Sequence, residues 1–451
     1  MFAHRKNLKA LASTLAAAVI ATAMLGACSG SDGSAGAPGP QGPAGPAGPP
    51  GPTGPTGPVT ALDIATSAPT AVTATITGVS GTARPTIRFT LTNQLGQPLR
   101  GLKHTDVRLA AAKLVPGANG GSSQWVSYIN RNENPPTSAT NGWGTTARRQ
   151  ATVDAPDAAT ALVDNGDGTY ALTFDKDLGA FTDGTSAGTT GPGPAVTFEP
   201  TLTHRIGFEV RNYPFTTNPI WDYVPSTGAT TSLPAVRRIV DTQTCNVCHD
   251  RLGFHGGGAR QNAEYCVVCH NPGSIDANSN NSVDMKVMIH KIHSGIDLFS
   301  LRPNPTAPVG PTNQPVTTPA SGRGYTIWGN ANTLHNYNTI VFTQEQRNCQ
   351  TCHQESDTAT PQASNWKTVQ NAESCGTCHD HVNFVTGLNH STSNIPATDA
   401  ECATCHGPNA AIANGALRVE NVHRVPTQEA AKKFAYKLVS ITNTGPGQFP
   451  V

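Results

Sequence analysis

The stretch EYCVVCHNPGSIDANSNNSVDMKVMIHKIHSG, residues 264–295, opens on two cysteines and a histidine and closes on two further histidines in one short apolar segment. It decides the fold because its CVVCH frame (266–270) recurs. The companions are CNVCH (245–249), CQTCH (349–353), CGTCH (375–379) and CATCH (402–406). Of the 11 cysteines, only Cys28 lies outside these frames.

C-x-x-C-H is the attachment signature of c-type haem. The two thiols form thioethers to the porphyrin, and the imidazole that follows binds the iron from the proximal side. Disulfides would suit an oxidising compartment and zinc ribbons use paired C-x-x-C, but neither needs a histidine after every second cysteine. A thioredoxin-like redox motif would appear once rather than five times. The frames therefore predict five covalently bound haem c groups. Cys245, Cys248, Cys266, Cys269, Cys349, Cys352, Cys375, Cys378, Cys402 and Cys405 form the thioethers, and His249, His270, His353, His379 and His406 are the proximal ligands.

The surrounding composition agrees. Across 241–425 the periodic apolar segments nearly vanish, so side chains alone would bury too little area to order the chain. Porphyrins filling that core would resolve the conflict, and the haem-free form should then fail to fold. Each iron also needs a ligand on its other face. Beyond residue 24 the only methionines are Met285 and Met288, whereas His255, His290, His293, His335, His381, His390 and His423 are all available. Bis-histidine ligation is thus feasible throughout. His381, two residues after His379, is too crowded to reach the opposite face. If 283–297 is helical, Met285, Met288, Ile289, Ile292 and Ile296 form an apolar stripe with His290 and His293 on its flank. One helix would then ligate two irons and set their spacing; two solvent-facing histidines are the plainer alternative.

Working outward, residues 1–28 read as a secretory signal ending in LGAC, which fits a lipobox with Cys28 as the lipidated residue. Its apolar core of about 15 residues is short for a bilayer span. Residues 29–59 contain Gly at every third position from Gly33 to Gly57. This linker reads first as a stiff Pro-rich spacer of roughly 80 Å or less, with a collagen-like homotrimer as the alternative. Residues 60–240 look all-β: TATITGVS, TIRFTLT, GTYALTF and THRIGFEVRN are separated by turn signals such as DNGDG at 164–168. A sandwich or split barrel is the expected class, with His104 and His204 as ordinary structural or surface residues. With 30 basic and 29 acidic residues, the net charge of +1 excludes no protein partner but gives no footprint for nucleic acid.

The order of β domain, HGGGAR, the 264–295 stretch, NCQTCH and SCGTCHDHVNF resembles the first half of the OmcA/MtrC-type decahaem cytochromes. The resemblance implies a multidomain chain: an N-terminal β domain (60–240), then a pentahaem domain (241–425) with little regular secondary structure and a few short helices. It implies distal ligation by His255, His290, His293, His335 and His390, with His423 as a weaker sixth. It further implies an outer-membrane lipoprotein, at the cell surface or on the periplasmic face. Such a protein would take electrons from an outer-membrane cytochrome/porin complex and pass them to extracellular acceptors such as metal oxides or soluble shuttles. A multihaem reductase with one open haem face and a haem-stabilised structural surface protein are the alternatives. The chain departs from the family in having five frames rather than ten. Its tail, 426–451, spaces Leu438, Ile441, Phe449 and Val451 like Ile76, Val79, Ile87 and Phe89, at an offset of 362, as though a second β domain begins there.

Overall fold

The structure is a computed structural model and describes residues 60–118, 121–135, 146–180, 190–192, 195–255, 257–301, 324–329, 333–437 and 439–440. The signal and lipobox with Cys28, the Gly-Pro linker, and the tail residues Leu438, Ile441, Phe449 and Val451 lie outside the described residues.

Strands form where the sequence alternates. In Val72–Ser80 the side chains of Val72, Ala74 and Ile76 turn inward while the residues between them face solvent. This strand pairs antiparallel with Thr86–Asn93, which pairs in turn with Thr169–Thr173 and, beyond it, Leu162–Asp164. The DNGDG segment makes the last hairpin: Asp164 accepts from the Gly166 N–H at 2.8 Å and Asp167 from the Thr169 N–H at 2.8 Å. A second antiparallel sheet runs Ile220–Tyr223, Thr203–Val210, Val107–Val115 and Gln124–Ser127. Ile87, Phe89, Leu91, Tyr170 and Leu172 of the first sheet meet Leu109, Ala111, Ile206, Phe208 and Val210 of the second in one core. The architecture is a β-sandwich, as the pattern predicts. His204 is a core residue: Tyr128 Oη lies 2.6 Å from its Nε2, and burial pushes its pKa down to about 4.

The second sheet does not show a wet outer face. Every residue of Thr203–Val210 is buried, and Ala110, Ala112 and Leu114 are covered along with Trp125. The cover is the segment that carries the second C-x-x-C-H frame, whose Tyr265 and Val268 complete a second apolar cluster with those residues. Small side chains let it approach. A Cβ on Gly207 would sit 2.9 Å from the Tyr265 ring, so glycine is required there by packing. Arg205, fully buried, ties the two regions together. It donates to both Asp222 carboxylate oxygens at 2.7 and 2.8 Å, to the Glu264 carbonyl at 2.9 Å and to the Glu264 carboxylate, and lies 4.5 Å over the Trp125 ring.

Beyond residue 241 the described chain is mostly turns with short helices. The longest are Met285–Ser294, with ten residues, and Thr242–His249 and Asp399–His406, with eight each. No described helix is long and apolar enough to cross a membrane. Residues Pro426–Ala431 are helical, so strand character does not start at the beginning of the tail.

Candidate haem centres

The five frames share a local cause. Four open at or within a capped helical turn, with Asp241, Asn262, Asn371 and Thr398 as N-caps, and Cys349–Thr351 is a 3-10 turn. In a helical turn residues i, i+3 and i+4 share a face, so C-x-x-C-H presents both thiols and the imidazole to the same side. All ten described cysteines are free thiols. Burial pushes Cys245, Cys349 and Cys375 up to about 11, which disfavours thiolate nucleophile chemistry.

Histidines from elsewhere in the chain meet each frame. Ring centroids are 5.9 Å apart in His249–His293, 6.0 Å in His255–His270 and 6.3 Å in His290–His353. They are 6.2 Å apart in both His379–His423 and His390–His406. One metal bound between two imidazoles, at ~2 Å from each nitrogen with each nitrogen ~1 Å from its ring centre, requires ~6 Å. The rings are also oriented for it. His270, His390, His406 and His423 donate Nδ1–H to the carbonyls of Val283, Ile395, Leu417 and Val419 at 2.8–2.9 Å, which leaves Nε2 as the free ligand atom. Burial pushes His353 and His379 down to about 4, keeping them in the neutral, metal-binding form. Val247, inside the first frame, and Ile395, whose carbonyl accepts from His390, are apolar and exposed. The residues present therefore fit haem. No three His, Cys, Asp or Glu side chains converge as a bare metal-ion site among the described residues.

The Met285–Ser294 helix starts on Asp284, whose carboxylate accepts from the Lys286 N–H, and Met288 and Ile292 pack against Leu298, Leu301 and Tyr325. This is part of the apolar stripe read from the sequence; Val287 is the buried apolar side chain on the helix. His290 and His293 leave it toward two different frames, the third and the first. His335 departs from the sequence reading. It sits in the Leu334–Asn336 strand, held opposite Ile327, and its ring stacks with Tyr337 at 6.4 Å. The fifth partner is instead His423, the C-cap of the Val419–Val422 helix. His381 stacks on Phe299 at 4.2 Å with its ring 6.4 Å from that of His379, on the chain just after it. The sequence could not rank His423 over His335, because the choice depends on where a helix and a strand far from either frame place them.

Thiols of different frames also act on one another electrostatically: Cys245 raises the pKa of Cys266, Cys352 that of Cys245, Cys378 that of Cys349 and Cys402 that of Cys375.

A β-sandwich docked on a helix-poor region with repeated C-x-x-C-H frames defines a multihaem c-type cytochrome. A family profile described as "Outer membrane cytochrome MtrC/MtrF-like, domains II/IV" matches residues 237–424, and an OmcA-like N-terminal domain profile matches residues 73–230. The chain belongs to the OmcA/MtrC-type family of outer-membrane cytochromes. The multiheme cytochrome MtrC of Shewanella baltica (strain OS185) is 27% identical over 333 residues, covering 71% of this chain and 38% of that protein. Among solved structures, the outer membrane decaheme cytochrome OmcA superposes with a TM-score of 0.60 at 26% identity, over 77% of this chain and 47% of that one. MtrC from Shewanella baltica OS185 shares the fold, with a TM-score of 0.50 at 24% identity over 80% and 46% of the two chains. The chain thus spans less than half the length of these relatives.

Proposed function

We propose that this chain carries electrons along five bis-histidine haems and delivers them to acceptors outside the cell. The observation that carries the reading is the set of five imidazole pairs, each joining one frame histidine to one other histidine at 5.9–6.3 Å. Haem bound at these frames supplies reversible one-electron chemistry at its iron. The chain's own residues do the rest. Each cysteine pair would hold one haem covalently, and each histidine pair would supply its two imidazole ligands, which would leave no coordination site for substrate. His293 and His290, one helical turn apart, set the separation between the first and third frames. The electrostatic coupling between thiols of successive frames supports a linear path with the second and fifth frames at its ends. On this reading His335 and His381 bind no iron.

The setting follows the family. Cys28 is proposed as the lipid anchor of an outer-membrane protein, 29–59 as its spacer, 60–240 and 241–425 as the β and pentahaem domains, and 426–451 as the opening of a further β domain. The proposed donor is an outer-membrane cytochrome/porin complex, and the proposed acceptors are metal oxides or soluble shuttles. Homotrimerisation through 29–59 rests on the Gly-X-Y period alone.

The test is spectroscopic and electrochemical. Holoprotein should contain five haems per chain by pyridine haemochrome assay, show only low-spin ferric haem, bind no carbon monoxide when reduced, and give reversible film voltammetry. A high-spin fraction with carbon monoxide binding would overturn the pure conduit in favour of a reductase.

A further inference from the structure

The second frame differs from the other four in the charge around it. Arg149, on the Arg148–Ala151 strand, donates to Asn271 Oδ1 and Pro272 O, both at 3.5 Å, in the two residues that follow His270, and to Ser127 O at 3.2 Å. All three acceptors are neutral. On the distal side, Arg260 exchanges backbone hydrogen bonds of 2.9 and 3.0 Å with Phe254 and so closes the turn that carries His255. Its Nε donates at 2.5 Å to Glu209, a fully buried carboxylate that also accepts from Arg211 at 2.6 Å. Three guanidiniums therefore surround the His255–His270 pair against one carboxylate. The nearby Arg205 is already balanced by Asp222 and Glu264.

Acidic side chains flank three of the other frames and cap the helix of the fourth: Asp241 is the N-cap of the first frame's helix, Glu355 and Asp380 follow His353 and His379 by two residues and one, and Asp399 and Glu401 lie in the first turn of the fifth frame's helix. Lys367 and Lys291 do no more than neutralise Glu355 and Asp380. At the second frame, by contrast, Arg149 donates to the two residues that follow His270, and Arg260 is hydrogen-bonded into the turn that carries His255.

Reduction removes one positive charge from a haem iron, so a fixed cation nearby favours the reduced form and a fixed anion the oxidised one. We infer that Arg149 and Arg260 hold the haem of the second frame at the highest potential of the five, making the end of the path against the β-sandwich the place where electrons collect. The inference rests on the haem reading above. It assigns the β-domain a task in electron transfer beyond support: Arg149 and Glu209 are positioning residues that set a potential without touching the iron.

The experiment is a potentiometric titration of the holoprotein with the haem signals resolved by paramagnetic NMR, the second-frame signal assigned through its loss in His255→Met. That signal should reduce first. Arg149→Gln should lower its reduced-to-oxidised ratio about tenfold at fixed potential, ~59 mV for one electron, with the other four moving far less. Arg149→Lys should leave it in place, and Glu209→Gln should move it the opposite way. The inference is overturned if the second-frame haem is not the first to reduce, if Arg149→Gln leaves it unmoved, or if Arg149→Lys moves it as far as Arg149→Gln. The Arg149 variants decide the matter alone if Glu209→Gln does not fold. Missing or high-spin haem at the second frame in the unmodified protein would overturn the conduit reading itself, and this inference with it.

Discussion

Replacing Arg205 with Met would expose how the haem region is fastened to the sandwich. Its guanidinium makes two hydrogen bonds to Asp222, binds both the carbonyl and the carboxylate of Glu264, and covers the Trp125 ring, all without solvent contact. Met preserves much of the volume but leaves two carboxylates buried with little compensation, since only Arg238, 3.3 Å from Asp222, remains. Removing one partner of such a cluster costs about 3–5 kcal/mol, a large part of the ~5–15 kcal/mol that holds a typical domain together. The pH dependence gives the mechanism away. In the native protein burial opposes ionisation of Asp222, but the Arg205 hydrogen bonds and charge outweigh it and hold the carboxyl below its ordinary value. Its stabilisation is therefore complete above the unfolded value of ~4 and is lost as pH falls through the lowered folded value. In the Met variant the sign reverses: the stranded carboxylates resist ionisation, so the deficit should be greatest near pH 7 and shrink as the pH falls toward 4. Urea unfolding monitored by tryptophan fluorescence, which haem quenches until the regions separate, measures both. A deficit below about 1 kcal/mol, or one that does not change with pH, would refute the claim that this cluster fastens the two regions.

Three further outcomes are expected. His293→Ala, His290→Ala and His423→Ala should each convert one haem to high-spin while all five stay attached by mass spectrometry, whereas His335→Ala should change no haem spectrum. Gly207→Leu should drive a side chain into the Tyr265 ring and destabilise the holoprotein by about 1–3 kcal/mol in urea, by overpacking, with the visible spectrum of the second-frame haem the first to change. His204, pushed down to about 4 by burial, is neutral when folded; its share of stability is complete above ~6.5 and is lost as pH falls toward 4. A His204→Gln variant should therefore show a flatter melting temperature between pH 7 and pH 4.5.

Much of this molecule could be read from its sequence because the informative features are local. Period-2 alternation in 72–80 and 86–93 and the Asx turns of DNGDG need only neighbours in the chain, and C-x-x-C-H encodes its own geometry over one helical turn. The pairing of the histidines is harder to read. His255, His290, His293, His390 and His423 stand opposite frame histidines, whereas the His335 ring stacks on Tyr337. Nothing within a few residues of His335 or His423 distinguishes a histidine that meets a frame from one stacked on Tyr337. The docking of the second frame onto the sandwich was equally hidden. The continuous burial of 203–210 and the small residues Ala110, Ala112 and Gly207 are its signature, yet alone they look like a core strand. The charge asymmetry around His255 and His270 is more remote still, because Arg149, Glu209 and Arg260 are brought together only by the fold.

The histidine pairs also differ in how far apart they lie along the chain, and this bears on how the protein matures. His255 with His270 and His390 with His406 close short loops of 15 and 16 residues, whereas His249 with His293, His379 with His423 and His290 with His353 span 44, 44 and 63. Loop-closure entropy makes the longest closure about 1.3 kcal/mol more costly than the shortest. Under the proposed ligation, the second and fifth frames should acquire both histidines early, whereas the first and third should wait for the Met285–Ser294 helix to dock and the fourth for His423 to arrive. Rapid-mixing refolding from acid, followed by the high-spin to low-spin change, should then show two fast conversions before three slow ones; a single concerted phase would mean that loop length does not set the order of closure.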